Sequence, residues 1–151
     1  MITETIRAKG AVHFVLSDEH GNIKSELEVP NLVVTTGLAY IASRMRDATA
    51  TVMSHMAVGT SATAAAAGDT GPVTEIGRVA LSSAVVTTTT VAGDSTTYNA
   101  TFGPGVGTGA IVEAAILNAV SAGTMLCRTV FPVVNKGALD TLAITWKVVL
   151  A

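Results

Sequence analysis

A mainly β domain is predicted: an antiparallel β-sandwich or barrel-like fold with one short α-helix over about residues 35–46. Three observations predict it. Several runs alternate apolar and polar residues at period two, turn-forming clusters of Gly, Asn, Asp and Pro separate them at close spacing, and only one stretch has the three-and-four spacing of an amphipathic helix. The 151 residues fit one domain, residues 1–151. Size scaling lets about 68% of the unfolded surface be buried, enough for a core without covalent staples.

The elements follow in order. Val12, Phe14 and Leu16 alternate with His13, Val15 and Ser17, and the polar turn Asp18-Glu19-His20-Gly21-Asn22 reverses the chain. The return strand sets Ile23, Ser25, Leu27 and Val29 against Lys24, Glu26 and Glu28, and Pro30-Asn31 is expected to end it. Thr35 or Thr36 can cap the helix that follows. Its apolar face carries Leu38, Ile41, Ala42 and Met45, and Arg44 and Arg46 near its C-terminal end suit the helix dipole. So short a helix is expected to pack on a sheet.

His55 to Gly59 reads as a short strand, and Thr60 to Pro72 as a long loop of small residues. Glu75 to Val86 is ambiguous, with strand favoured after Arg78. The Thr87–Thr90 run disfavours helix, and Gly93-Asp94 marks a turn before Tyr98, Ala100 and Phe102 alternate with Asn99 and Thr101. After the glycine loop Gly103–Gly109, the apolar stretch Ala110–Asn118 fits helix or strand by content. Strand is assigned, because Ser121-Ala122-Gly123 turns the chain and Thr124–Val134 reads as its hairpin partner. Asn135-Lys136-Gly137 is a further turn. The last strand points Leu142, Ile144, Trp146, Val148 and Leu150 one way, with Trp146 expected in the core.

Composition narrows the function classes. Charged residues are 13% of the chain, hydrophobic residues 49% and aromatics 4%, with 22 threonines. An average domain is about 25% charged, so the charge density is low for a small protein that must stay dispersed. Nine basic against eleven acidic residues, with no basic stripe, argue against nucleic-acid binding. The most apolar window, Ala110–Leu126, is interrupted by Glu113, Asn118, Ser121 and Gly123, so no membrane span is expected.

Candidate chemistry is thin. Gly105, Gly107 and Ala110 match a dinucleotide-turn spacing, but no βαβ unit or ribose-binding acid follows. His13, His20 and His55 are scattered, so no metal site is assigned. Cys127, the single cysteine, lies in an apolar alternating strand, where a buried inert thiol is expected. No nucleophile elbow and no paired carboxylates stand out. No catalytic residue, cofactor or metal ligand is assigned, and a non-enzymatic protein is expected.

Three stretches resemble small bacteriophage structural proteins. The first is Val29-Pro30-Asn31-Leu32-Val33-Val34-Thr35-Thr36-Gly37-Leu38, running into Ile41-Ala42-Ser43-Arg44-Met45. The second is Met56–Thr60, the Ala-rich Ala64–Thr70, and Glu75–Leu81. The third comprises Tyr98–Phe102, Val112–Asn118, Gly123–Phe131 and Asp140–Trp146. The succession of strand, Gly-Thr, Ala-rich loop and Glu-x-x-Arg is also similar to the N-terminal domain of phage tail-collar fibre proteins. The resemblance implies a virion component present in many copies, often as homotrimers, assembled in the host bacterial cytoplasm.

With no shaft repeats and no second domain, the expected role is a capsid decoration (cement) protein that bridges major capsid subunits. A small tail, baseplate or fibre-attachment protein is the alternative. A hydrolase and a carbohydrate-binding module are distant ones. Two segments are the candidate subunit contacts. Residues 1–10, with Ile2, Thr3 and Ile6, can extend as an N-terminal arm and add a strand to a neighbour. The long loop offers Thr60, Ala64, Ala66, Asp69 and Pro72.

Overall fold

A computed structural model describes residues 4–46 and 51–151. The elements are β1 (Ala8–Ser17), β2 (Ile23–Val33), α1 (Thr35–Arg46), β3 (His55–Gly59), β4 (Glu75–Ala80), β5 (Ser83–Thr87), β6 (Ser95–Phe102), β7 (Gly109–Leu117), β8 (Met125–Lys136) and β9 (Thr141–Leu150). The strands form one sheet in the order β4-β3-β7-β8-β2-β1-β9-β6-β5, with every neighbouring pair antiparallel. The sheet curls into a half-barrel, the barrel-like form of the predicted class.

The curl turns at β2. Its length runs along β1, but Leu32 and Val33 at its end pair with Arg128 and Cys127 of β8. Those two residues join one half of the sheet (β2-β1-β9-β6-β5) to the other (β4-β3-β7-β8). Pro30 and Asn31 therefore continue β2 opposite Ala11 and Gly10 rather than ending it. The Pro30 carbonyl is occupied too, accepting from Thr129 Oγ1 at 2.8 Å. On the opposite side, Leu81 N–H donates to Ser54 O and Ser82 N–H to Asn99 O, so the β4–β5 connection steps from one half to the other.

The core fills the concave space between the halves. Val12, Phe14, Phe102, Ile144 and Trp146 face Met56, Val58, Ile111, Ile116 and Phe131, all buried. The Phe14 and Phe131 rings meet across it with centroids 4.2 Å apart. Trp146 is fully buried at the position its strand phase predicts. Leu150, in the same phase, is 39% exposed, because it lies at the open end of the sheet where the cleft begins.

Strand β7 explains why its sequence is ambiguous between helix and strand. Ile111, Ala114 and Ile116 belong to the main core, whereas Ala115 and Leu117 join Val34, Ala57 and Met125 in a second small cluster. Both faces are covered, so the apolar run is nearly continuous and its period is hidden. Other boundaries move slightly. β4 starts at Glu75, paired with Gly59, rather than after Arg78. β8 continues through Asn135 and Lys136, and the turn proper is Gly137–Asp140, closed by Asp140 N–H to Gly137 O.

The N-terminal segment is shorter as an arm than expected. Arg7 and Ala151 exchange both main-chain hydrogen bonds, and Ala8, Lys9 and Gly10 pair with Leu150, Val149 and Val148. Residues 7–10 are thus part of the sheet. Ile2 and Thr3 lie outside the described residues.

Candidate interaction site

Helix α1 is fixed to the sheet at its first turn. Gly37, its one fully buried residue, lies so close to Leu126 of β8 that a Cβ there would overlap the Leu126 carbonyl. Thr36 does not cap the helix, because its hydroxyl donates to Met125 O at 2.9 Å. Thr35 also does not cap it: it is already helical, its N–H donates to Ala67 O, and Leu38 N–H bonds back to Val34 O. Three links thus fix the helix start to β8 and to the long loop.

Beyond that turn the apolar side chains of the helix are only partly covered. Its apolar face is the one predicted, but it is not buried in the chain: Leu38 is 51% exposed and Met45 84%. Ile41 and Tyr40 are partly buried against the core edge. Opposite them lies the uncovered concave face at one end of the sheet, with Ala8 of β1, Ala84 and Val86 of β5, Thr96 and Tyr98 of β6, and Leu150 of β9. Ile6, Val52 and Met53 close the sides. The space between is a cleft of about 810 Å³ with a mainly apolar lining that also includes Arg44 and Thr96. Burial in this wall pushes the Tyr98 phenol up to about 12, so it is neutral at every physiological pH.

The long loop 60–74 is held on the convex face of the other half. Arg128 of β8 and Glu113 of β7, both fully buried, are its anchors. Arg128 Nε and Nη2 donate to Glu113 Oε2 at 3.0 and 2.8 Å. Nη1 donates to Asp69 Oδ2 at 2.9 Å, and Nη2 also to Thr63 O at 3.0 Å. Glu113 in turn accepts from the main-chain N–H groups of Ser61, Val73 and Thr74, the last at 2.7 Å. Burial alone would push the Glu113 carboxyl up. The Thr74 and Val73 amides and the Arg128 guanidinium outweigh it and leave the carboxyl below its ordinary range.

The sequence-selected contacts therefore separate. Thr60, Ala64 and Ala66 are exposed on the anchored loop, and Pro72 is half-buried. Asp69 is spent inside the chain on Arg128 and on the Ala66 N–H. Ile6, 78% exposed, lines the cleft rather than the loop surface. Sequence reasoning missed the cleft walls, because Ala84, Val86, Tyr98 and Leu150 come from strands whose order only the fold supplies. It also missed the Glu113–Arg128 pair. The available signal was a charged residue in each of two otherwise apolar strands joined by one hairpin.

The remaining candidates have ordinary partners. His13 Nε2 lies 2.7 Å from Glu26 Oε1, His55 Nδ1 2.8 Å from Ser54 Oγ, and His20 faces Glu19. No group of three metal-ligating side chains occurs among the described residues. In the glycine loop, Gly105 N–H donates to Ala138 O, and the buried Lys136 Nζ donates to Gly103 O at 2.8 Å. Cys127 is fully buried, and burial pushes its thiol far up. No described helix is long and apolar enough to cross a membrane. No protein-family model, curated protein or solved structure matches this chain.

Proposed function

We propose that this chain is a non-enzymatic assembly subunit: a bacteriophage virion structural protein of the capsid-decoration type that seats part of a neighbouring subunit in its cleft. The uncovered cleft carries the reading. An apolar helix face and an apolar sheet end lie across about 810 Å³ of open space, with no segment of the described chain between them. Continuous apolar surface of this kind is the mark of an interaction site, since it is costly to leave in water. The resemblance of the three sequence stretches to phage structural proteins supplies the address, the virion. The decoration role makes the partner a major capsid subunit, and a tail role would make it a tail or baseplate protein.

The mechanism is contact in many copies. Each cleft takes a modest apolar segment, and repetition over a lattice multiplies weak contacts into avidity. The loop at Thr60, Ala64 and Ala66 offers a second surface. Its anchoring by Arg128 and Glu113 removes the ordering cost that a free loop would meet on binding. The test is electron microscopy of virions carrying a labelled copy of the chain. Label spaced over the head supports the decoration role. Label confined to the tail replaces it with a tail or baseplate role, and unlabelled particles contradict the virion reading.

A further inference from the structure

We propose that the free edge of β5 is a self-pairing site, through which two copies of this chain join antiparallel strands about a twofold axis near Val85. It rests on the assembly-subunit reading only in that both use contacts between chains. The two can fail separately.

The sheet has two edges, β4 and β5, and they are finished differently. On β4 a charged pair guards the strand. Arg78 Nη2 lies 2.6 Å from Glu75 Oε2, and Arg78 Nη1 donates to Ala119 O and Ala122 O. Charges and bulges of this sort are how natural edges avoid pairing with strangers, and β4 also has a register shift at Val58/Gly59 of its partner. Edge β5 has none of these devices. Ser83-Ala84-Val85-Val86-Thr87 pairs with β6 in unbroken register from Ser83↔Asn99 to Thr87↔Ser95. It contains no charge and no proline, and no described strand lies on its other side.

Along the sequence the absence of charge extends past the strand, although Lys147 Nζ reaches the Thr88 carbonyl at 3.3 Å. Between Arg78 and Asp94 there is no charged residue, in a segment that includes three surface valines. Val85 is 53% exposed, Val86 68%, and Val91 is similarly open. The end of the strand and the turn after it are fixed by hydrogen bonds. Asp94 accepts from the N–H groups of Thr89, Thr90 and Val91, and Thr87 Oγ1 lies 3.0 Å from both Ser95 Oγ and Thr97 Oγ1. Its main-chain groups are thus presented on a fixed template, the condition under which strand addition works.

The occupant follows from the lack of charge. A twofold axis sets each residue against its own copy or its near neighbour: Val85 against Val85, Ala84 against Val86, Ser83 against Thr87. A charge at position 85 would meet its own copy, which is destabilising directly across a sheet. This strand meets only β-branched and small side chains, the pairs that stabilise sheets. Under this axis the strand is its own complement, and an edge left without charge, proline or bulge is the kind that pairs edge to edge with a second copy. Pairing would continue the β2-β1-β9-β6-β5 half of each sheet into that of its mate. Ala84 and Val86 also line the cleft, so each cleft would open beside the junction.

The test is the mass of the purified full chain by sedimentation equilibrium from micromolar to submillimolar concentration. A monomer–dimer equilibrium is expected. Val85→Lys should weaken it by up to about fivefold, the size of a cross-strand pair, with the circular dichroism of the monomer unchanged. If Val85→Lys alters the fold, Val85→Cys decides. Cα atoms across an antiparallel pair lie about 4.5–5.5 Å apart, within disulfide reach. The native Cys127 is buried and stays silent. Rapid oxidation to a covalent dimer, with Val133→Cys on β8 as a slow control, supports the proposal. A monomer throughout, a trimer, an unaffected Val85→Lys dimer, or equal cross-linking at Val133 overturns it. A chain that is monomeric yet decorates particles would overturn this proposal and leave the functional reading standing.

Discussion

Arg128 and Glu113 form a buried clasp in which one guanidinium and one carboxylate hold a whole loop. The two side chains meet at 2.8 Å with neither exposed, and the remaining hydrogen-bonding capacity of both is turned onto residues 61–74. A buried ion pair of this kind gains less from its mutual attraction than from complete satisfaction of its other groups.

Removing one partner should therefore be costly. Arg128→Met leaves the Glu113 carboxylate buried beside an apolar side chain and frees Asp69 and the Thr63 carbonyl. A loss of about 3–5 kcal/mol is expected in urea unfolding at neutral pH. The double variant Glu113→Gln/Arg128→Met should lose less than the sum of the single losses, since the two act on one network. Additive losses would show that the pair does not work as a clasp.

The same carboxylate gives stability a direction in pH. Glu113 has its pKa held below the ordinary value in the folded chain, so folding favours its ionised form. Its contribution is fully present above the unfolded-state pKa of about 4.3 and is lost as pH falls through the lower folded value. Asp140 acts in the same sense. The Lys24 ammonium, 2.6 Å away, and then the Gly137 amide hold its carboxyl low. Asp18 and Asp94 are likewise lowered, by Asn22 and by the Val91 and Thr90 amides. Stability should be flat from neutral pH to about 5 and then fall with further acid. In hydrogen exchange the loop amides of Val73 and Thr74 should lose protection early. Stability that rises between pH 5 and 3 would contradict the assignment.

The core and the cleft should respond differently to substitution. Trp146 is fully enclosed at the centre of the half-barrel, and Trp146→Ala should cost about 3–5 kcal/mol. Leu38 and Met45 are apolar but exposed. Leu38→Gln and Met45→Gln should each change stability by no more than about 0.5 kcal/mol. Thermal melts of the three variants check this. A large loss at position 38 or 45 would mean that the helix face is covered within the chain itself.

Most strands were legible because their periods are simple. β1, β6 and β9 each have one face in the core, so alternation shows directly in Phe14, Phe102 and Ile144. Strand β7 was harder because Ala115 and Leu117 are buried on the other face too, with Val34 before the helix, Ala57 of β3 and Met125 of β8. The end of β2 was misjudged at Pro30. Proline stops a strand that must donate on both sides, but here the chain is crossing from β1 to β8. The helix was placed correctly by spacing, yet spacing does not say whether an apolar face is buried. That depends on how far the sheet reaches beneath it, and no local pattern in residues 35–46 encodes this. Asp69 shows the same limit from the other side: its loop reads as exposed, and its partner Arg128 is distant in sequence.

In the proposed decoration role the cleft is a contact surface that is covered in the assembled particle. The most direct measurement is the rate of maleimide labelling at Met45→Cys, read by mass spectrometry on the free chain and on intact virions. The native Cys127 is buried and serves as an unreactive background. Rapid labelling of the free chain and strong protection in the particle is the expected result. Equal labelling in both states would contradict the claim, because the cleft would then face solvent where it is supposed to be filled.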